Sequence, residues 1–587
     1  MEFTTRPELT GTFGMVASTH WLASAVGMAV LERGGNAFDA AVAAGLTLQV
    51  VEPHLNGPGG DLPAILWPRG RSEPLVLCAQ GPAPAQATIK HYRDELGLGL
   101  VPGTGPLSAV VPGAFGGWMA ILRDFGTLRL RDVLGFAIGY AAAGYPVLAG
   151  VAAVIRSVEE LFQREWTTSA EVYLPVPQPG QLARNPALAA TYERVVAEAE
   201  ARSSGREGQI EAAHDIWYRG WVAEALVRFQ ARAWMDTSGR PHTGLLTEAD
   251  LGRWAPAYET PAAVTYRGLT VFKPGPWSQG PVFLQQLNLL EGFDLTEMGH
   301  GSARYIHTVT ECAKLAFADR EAWYGDPLSV DVPLEALLSR DYANERRRLV
   351  GPGCAAELRP GAPMGRAPRL PAPTMGPGPG PVAVTGDPSP ARFRGDTVHL
   401  DVADRFGNLV SATPSGGWLS GAPVVPELGF CLGTRAQMFW LEEGLPSSLQ
   451  PGRRPRTTLS PTMVGRQGQA YLSLGTPGGD QQDQWTWHAF LGHVEFGLDL
   501  QAAIDAPNHH TEAFPSSFYP RATRPRHLAV EDRAGEEPLE ALRSCGHDLE
   551  ATGPWALGRV SAVSRSAGGV LRGAADPRRM QAYVCGR

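Results

Sequence analysis

The sequence predicts an α+β fold built from two unlike parts, and three observations predict it. Helix-patterned segments dominate up to about residue 350. A Pro/Gly/Ala-rich stretch without periodicity follows, from 351 to 394, and includes Gly376-Pro-Gly-Pro-Gly-Pro381. Alternation of period two then begins abruptly at Thr397.

In the first part, Ala23 to Glu32 has helical composition and meets Gly34-Gly35, where a glycine can take the left-handed conformation that stops a helix. Asn36 offers a side-chain cap to a second helix, rich in Ala and Val, up to about Val51. A Gly-rich turn, Gly57-Pro-Gly-Gly60, precedes a short apolar strand over Ala64 to Trp67. Further helices are predicted over Trp118–Arg123, Arg131–Ala143, Trp221–Ala233, Val282–Leu290 and Tyr305–Trp323. Ala137 to Ile155 is uncharged and long enough to raise the question of a membrane span. Its Gly139, Gly144, Pro146 and Gly150 instead predict two helices broken at Tyr145-Pro146. Ala263–Tyr266 and Leu269–Phe272 read as a hairpin around Arg267-Gly268, and Thr397 opens a second hairpin that turns at Arg405-Phe-Gly-Asn408.

Composition narrows the function. With 51 basic against 59 acidic residues the net charge is -8, which gives no electrostatic footprint for nucleic acid. The opening residues lack a basic start followed by an apolar run, so the expected compartment is the cytoplasm, with no membrane partner. Six scattered cysteines form no Cys-x-x-Cys pair, and His-Glu-x-x-His, P-loop and Gly-x-Ser-x-Gly signatures do not occur. His509-His510 invites a metal reading, but adjacent residues project differently and no carboxylate or cysteine spacing supports it. The expectation is no metal and no cofactor.

Thr397 acquires interest from its company. Gly14-Met-Val-Ala-Ser-Thr-His20, the run Ala23 to Ala44, Val51-Glu-Pro-His54 and Gly57-Pro-Gly-Gly60 together resemble the γ-glutamyltranspeptidase family. The resemblance continues through Val111–Gly117, Glu311–Arg320, Gly395-Asp-Thr-Val-His399, Ser460-Pro-Thr-Met463, Gly475-Thr-Pro-Gly-Gly479 and Ala506-Pro-Asn-His-His510, covering nearly the whole chain in order.

This resemblance implies an αββα sandwich formed by the large and small subunits of one proenzyme. Cleavage would fall between Asp396 and Thr397, giving a large subunit of residues 1–396, which carries the linker, and a small one of 397–587. Thr397 would be the catalytic nucleophile. A hydroxyl near neutral pH needs a base, and a free α-amine, titrating near ~8, supplies one only after the preceding peptide bond is cut. The resemblance makes Gly478 and Gly479 the oxyanion hole, with two successive N–H groups worth ~3 kcal/mol each in the transition state. It gives Ser415 the task of orienting the nucleophile's amine.

At the substrate end the pattern departs from the family. The arginine that would hold a glutamate α-carboxylate is replaced by Ile89, and the acid that would hold its α-amine falls at or near Met438. Losing a charge-assisted pair at each end would cost ~2 kcal/mol or more per end. Thr457-Thr458 stand in for the family's serine pair, and Arg435 and Arg456 are candidates for a different carboxylate clamp. The expected function is therefore a self-processing amidohydrolase for a small acidic amide, and Gly479-Asp-Gln-Gln-Asp-Gln484 also resembles the branch that includes oxamate amidohydrolase. The alternatives are a γ-glutamyl hydrolase or transpeptidase with a rearranged pocket, and an unprocessed relative that only binds a ligand.

Overall fold

The computed structural model describes residues 3–372 and 397–587. Asp396 and the predicted linker from residue 373 onward lie outside the described residues.

Two seven-stranded sheets form the centre. The first runs, in spatial order, Tyr583–Gly586, Gly14–Ser18, Leu400–Asp404, Leu409–Ala412, Leu62–Trp67, Leu75–Ala79 and Ala257–Glu259. The second runs Leu9–Gly11, Leu571–Ala575, Ser561–Arg565, Gln469–Gly475, Thr462–Arg466, Leu269–Lys273 and Ala262–Tyr266. Every neighbouring pair in both sheets is antiparallel. Each sheet contains strands from both before and after position 397 paired side by side, so a cut beside Thr397 would leave the two pieces hydrogen-bonded and sharing one core.

The sheets meet through a shared apolar layer in which Met15, Ile65 and Trp67 of the first pack with Phe272, Met463 and Val563 of the second. Trp67 and Phe272 make an edge-to-face contact with centroids 5.4 Å apart. On the other face of the first sheet, Ala41, Val42 and Leu46 of one helix share a core with Val16, Val402 and Val410. Outside the second sheet, Leu284, Leu287 and Phe490 cover Val271 and Leu472. Burial on both faces explains why all five residues of Leu400–Asp404 are inaccessible despite their alternation. The polar member facing the other sheet, Asp401, accepts hydrogen bonds from Ser473 and Ser561.

The helix signals in the sequence act where expected. Trp21–Glu32 ends at Gly34 (φ 95°), and Asn36 closes a reciprocal capping box with Asp39 at the start of Ala37–Val51. Leu130–Ala143 and Ala149–Ser157 are separated at Tyr145-Pro146, which pairs with Leu182–Ala183. No helix among the described residues is long and apolar enough to cross a membrane. Arg267 and Gly268 both take positive φ in the predicted hairpin turn.

Two expectations need correction. The strand expected from Thr397 begins instead at Leu400; Thr397 makes an isolated antiparallel bridge with Ser415. Residues 351–372, expected to be exposed, are irregular but partly packed: Gly361 donates to Asp319 at 2.7 Å and accepts from Trp323 at 3.1 Å. A buried acceptor, Asp319, and a buried donor, Trp323, on the Ala303–Trp323 helix hold this stretch in place, a long-range pairing that Pro/Gly composition does not reveal.

Candidate active site

The site is assembled around Ser415. Its backbone pairs on one side with Thr397 and on the other with Asp61, exchanging Asp61 N–H to Ser415 O at 2.8 Å and Ser415 N–H to Asp61 O at 3.0 Å. Thr397 Oγ1 donates to Ser415 Oγ at 3.2 Å, and both residues are buried. Gly60 is required by this close approach, since a Cβ there would lie 2.0 Å from the Ser415 carbonyl oxygen.

Asp61 in turn holds Arg435. The guanidinium meets the carboxylate in a two-pronged pair, Nε to Oδ2 at 2.8 Å and Nη2 to Oδ1 at 2.9 Å. Burial pushes the Asp61 carboxyl up, and the charge of Arg435 opposes that shift. The remaining nitrogen, Nη1, faces the Met438 sulfur at 3.9 Å. Trp418 lies under the guanidinium at 5.6 Å and packs with Met438 and Phe518.

The glycine pair reaches the same neighbourhood through the strand Gln469–Gly475. Gly475 ends against His399, where a Cβ would lie 2.3 Å from the imidazole. That ring, two residues beyond Thr397, is fixed by Thr413 Oγ1 at 2.8 Å and lies 3.1 Å from Asp401 Oδ2. Gly478 (φ 125°) and Gly479 (φ 58°) then turn the chain into the helix Gln482–Val494. A Cβ on Gly478 would lie 2.3 Å from the Trp485 ring. Among the described residues neither glycine N–H donates to a protein acceptor.

Gln279 joins this turn to Thr457-Thr458. Its backbone N–H donates to Thr457 O at 2.9 Å and its Nε2 to Gly479 O at 3.3 Å, while Oε1 accepts from Arg320 at 2.9 Å. Thr457 Oγ1 accepts from Leu459 N–H at 3.3 Å. Thr458 Oγ1 is buried and meets no hydrogen-bonding partner among the described residues.

Arg456 is not brought into a clamp beside Arg435. Its Nη1 pairs with Glu321 at 2.6 Å and its Nη2 with Ser517 at 3.0 Å, inside a buried network that also holds Arg320 and Asp480. Burial, then the charge of Arg320, lowers the Arg456 pKa. Burial would raise Asp480, but Arg320, Ser517 and Arg456 outweigh it and hold the carboxylate below its ordinary range. This network braces the Gly479–Gln481 turn from below. Ile89 sits in an apolar cluster with Ala436 and Phe439, so the place of the family's arginine is filled by hydrocarbon.

The sequence reading assigned no role to Asp61, His399, Gln279 or Asp480, although His399 and Asp480 lie within the motifs it singled out. Asp61 directly follows Gly57–Gly60 and Asp480 directly follows Gly479, so chain adjacency to the glycine motifs was an available signal. Gln279 carried none. His509-His510 pairs as a short strand with His527–Glu531. A three-residue group elsewhere, His307, Glu311 and His547, has metal-like spacing. Its Glu311 oxygens are already taken by Lys314 at 2.7 Å and Arg359 at 3.0 Å, and its two rings bond each other at 2.9 Å, so the donor set does not call for an ion.

A family model described as gamma-glutamyltranspeptidase matches residues 23–585. The chain belongs to the γ-glutamyltranspeptidase family. It is similar to the glutathione hydrolase-like YwrD proenzyme of Bacillus subtilis, at 31% identity over 97% of each chain. It is also similar to the oxamate amidohydrolase proenzyme of Klebsiella pneumoniae, at 30% identity over 97% of each. Of solved structures, LmbA2991HD is 56% identical and superposes with a TM-score of 0.94 over 100% of both chains. The chain is thus an enzyme of a family of hydrolytic proenzymes, with the mixed helices and sheets of its relatives.

Proposed function

We propose that the chain is a self-processing amidohydrolase that cuts itself between Asp396 and Thr397 and acts on a small acidic amide through an acyl-enzyme on Thr397. The observation that carries this reading is the placement of a buried Thr397 hydroxyl 3.2 Å from Ser415 at the N-terminal end of a first-sheet strand, with the second-sheet strand that leads into the glycine turn packed on His399 two residues away. In the sandwich of helices and two sheets expected of the family, residues 1–396 and 397–587 form the large and small subunits.

Freed by cleavage, the Thr397 α-amine takes the hydroxyl proton as the oxygen attacks the amide carbonyl, with Ser415 orienting the threonine. The developing oxyanion accepts from the N–H groups of Gly478 and Gly479. The protonated amine passes its proton to the leaving nitrogen, and water, activated by the same amine, hydrolyses the ester. No cofactor enters this sequence.

Acidic substrates are favoured because Arg435, after pairing with Asp61, offers Nη1 only the weakly accepting Met438 sulfur, and Thr458 keeps its hydroxyl unspent. The relative that acts on oxamate agrees with such a substrate. Glutathione-type substrates are disfavoured by Ile89 and Met438, which offer nothing to the charged ends of a glutamyl group.

Intact-mass analysis of wild type beside Thr397→Ala tests the mechanism. Two fragments meeting at Asp396/Thr397 are expected in wild type alone, with hydrolysis of oxamate confined to the cleaved protein. One uncut chain in both would remove the base and leave ligand binding as the function.

A further inference from the structure

We infer that Cys354 and Cys545 form a thiol–disulfide site, whose bridge ties together the parts of the chain on either side of position 397. All six cysteines are free thiols in this structure. Cys78, Cys312 and Cys431 are buried, and Cys585 lies on an edge strand opposite Val16. Cys354 and Cys545 are both half-buried, and they meet through the backbone, where Cys354 N–H donates to Cys545 O at 2.8 Å.

That one hydrogen bond limits how far apart the two residues can be. With standard covalent dimensions, it keeps their Cα atoms within ~6.7 Å of each other in any orientation. A disulfide spans Cα separations of ~4.4–6.8 Å. The Cys354 Cβ faces Gly546, where a Cβ would lie 3.8 Å away. Gly546 carries no side chain, which leaves the Cys354 sulfur room to turn toward Cys545. Gly351, Pro352 and Gly353, all exposed, lead into Cys354, so the shift that brings the sulfurs to bonding distance falls on surface chain.

Lys314 holds the reduced state in place. Its ammonium donates to Cys354 Sγ at 3.0 Å, to Glu311 at 2.7 Å and to Ala355 O at 2.8 Å. Burial pushes the Cys354 thiol up, and Lys314 opposes that shift. Cys545, at the end of the helix Glu536–Ser544, has an exposed residue on each side, Ser544 and Gly546. Exchange with a small disulfide, RS–SR, therefore starts at Cys545. Its thiolate attacks one sulfur of RS–SR, forming a mixed disulfide and releasing RS⁻, which takes up the proton that Cys545 gave up. Cys354 then loses its proton beside Lys314 and attacks the Cys545 sulfur, and the second RS⁻ leaves as RSH. Two thiols and one RS–SR become one protein disulfide and two RSH.

The bridge itself does not depend on self-processing. That it joins a large and a small subunit rests on the cleavage proposed above, since Cys354 precedes position 397 and Cys545 follows it. The test treats the full chain with hydroxyethyl disulfide, which has no γ-glutamyl group, blocks the remaining thiols with N-ethylmaleimide, and maps peptides by mass spectrometry without reductant. A peptide carrying Cys354 joined to one carrying Cys545 is expected as the dominant cysteine pair, and it should be lost on adding dithiothreitol. Cys354→Ser and Cys545→Ser should each abolish it, whereas Cys585→Ser should leave it. Thr397→Ala, expected to stay uncut, should give the same linked peptides, so a failure of self-cleavage is read apart from a failure of the bridge. In cleaved protein, a denaturing gel without reductant should show both fragments as one band that dithiothreitol splits. Mixed disulfides without a link, a link through Cys585, or no reaction at either thiol would each overturn the inference.

Discussion

The two ends of the proposed active site are built differently. At the chemical end, Thr397, Ser415, Gly478 and Gly479 are placed by backbone: an isolated bridge, a tight approach at Gly60, and two positive-φ glycines. At the recognition end, Arg435, Met438, Ile89 and Thr458 are side chains from distant segments, positioned by Asp61, Phe439 and Gln279. The first kind of construction tolerates little change and preserves one reaction. In the second, exchanging a few side chains changes what is bound while the sheets remain as they are. The proposed function rests on that division, which substitutions at each end can test.

The largest effect is expected at the chemical end. In Gly478→Ala the methyl would meet the Trp485 ring at 2.3 Å in a backbone conformation that L residues rarely adopt. Displacing even one N–H from an oxyanion hole costs ~3 kcal/mol, or roughly 10²-fold in kcat. The assay is turnover by protein shown by mass to be cleaved. Loss within a factor of two would show that the glycine turn is not the oxyanion hole and that backbone placement does not define this end.

A smaller effect is expected from Met438→Asp at the recognition end. The new carboxylate would lie within reach of Arg435 Nη1, now opposite sulfur at 3.9 Å. It would occupy the nitrogen proposed to meet an acidic substrate. About 2 kcal/mol, or ~30-fold in kcat/KM for oxamate, is expected to be lost. The loss should fall on KM, and self-cleavage should continue. An unchanged KM would remove Arg435 from substrate recognition.

The same division explains what the sequence disclosed. Signals carried by neighbours in the chain were legible: the Asn36 cap, the Gly34 stop, the Arg267-Gly268 turn and the glycine motifs around the nucleophile. Properties set by partners far beyond the neighbouring turn were not. Arg435 and Arg456 looked equivalent as candidate clamps, yet Asp61 leaves one nitrogen of Arg435 facing only the Met438 sulfur while Glu321 and Ser517 occupy both terminal nitrogens of Arg456. Likewise, the strand at Thr397 begins three residues late because the chain pairs first with Ser415, a contact that alternation alone cannot encode.

The smallest effect, and the one with the sharpest signature, concerns Thr458→Val. The two side chains are nearly the same shape, so packing is retained, and the hydroxyl removed is buried with no hydrogen-bonding partner among the described residues. Deleting an unpaired buried polar group relieves a desolvation cost of ~1–3 kcal/mol, so the melting temperature should rise. If the hydroxyl is held for substrate, KM for oxamate should rise about 5-fold, near ~1 kcal/mol, with kcat little changed. A structural hydroxyl would behave oppositely, with a lower melting temperature and an unaltered KM. The two readouts therefore move in the same direction only if stability has been given up at this position for recognition, as the contrast between the two ends requires.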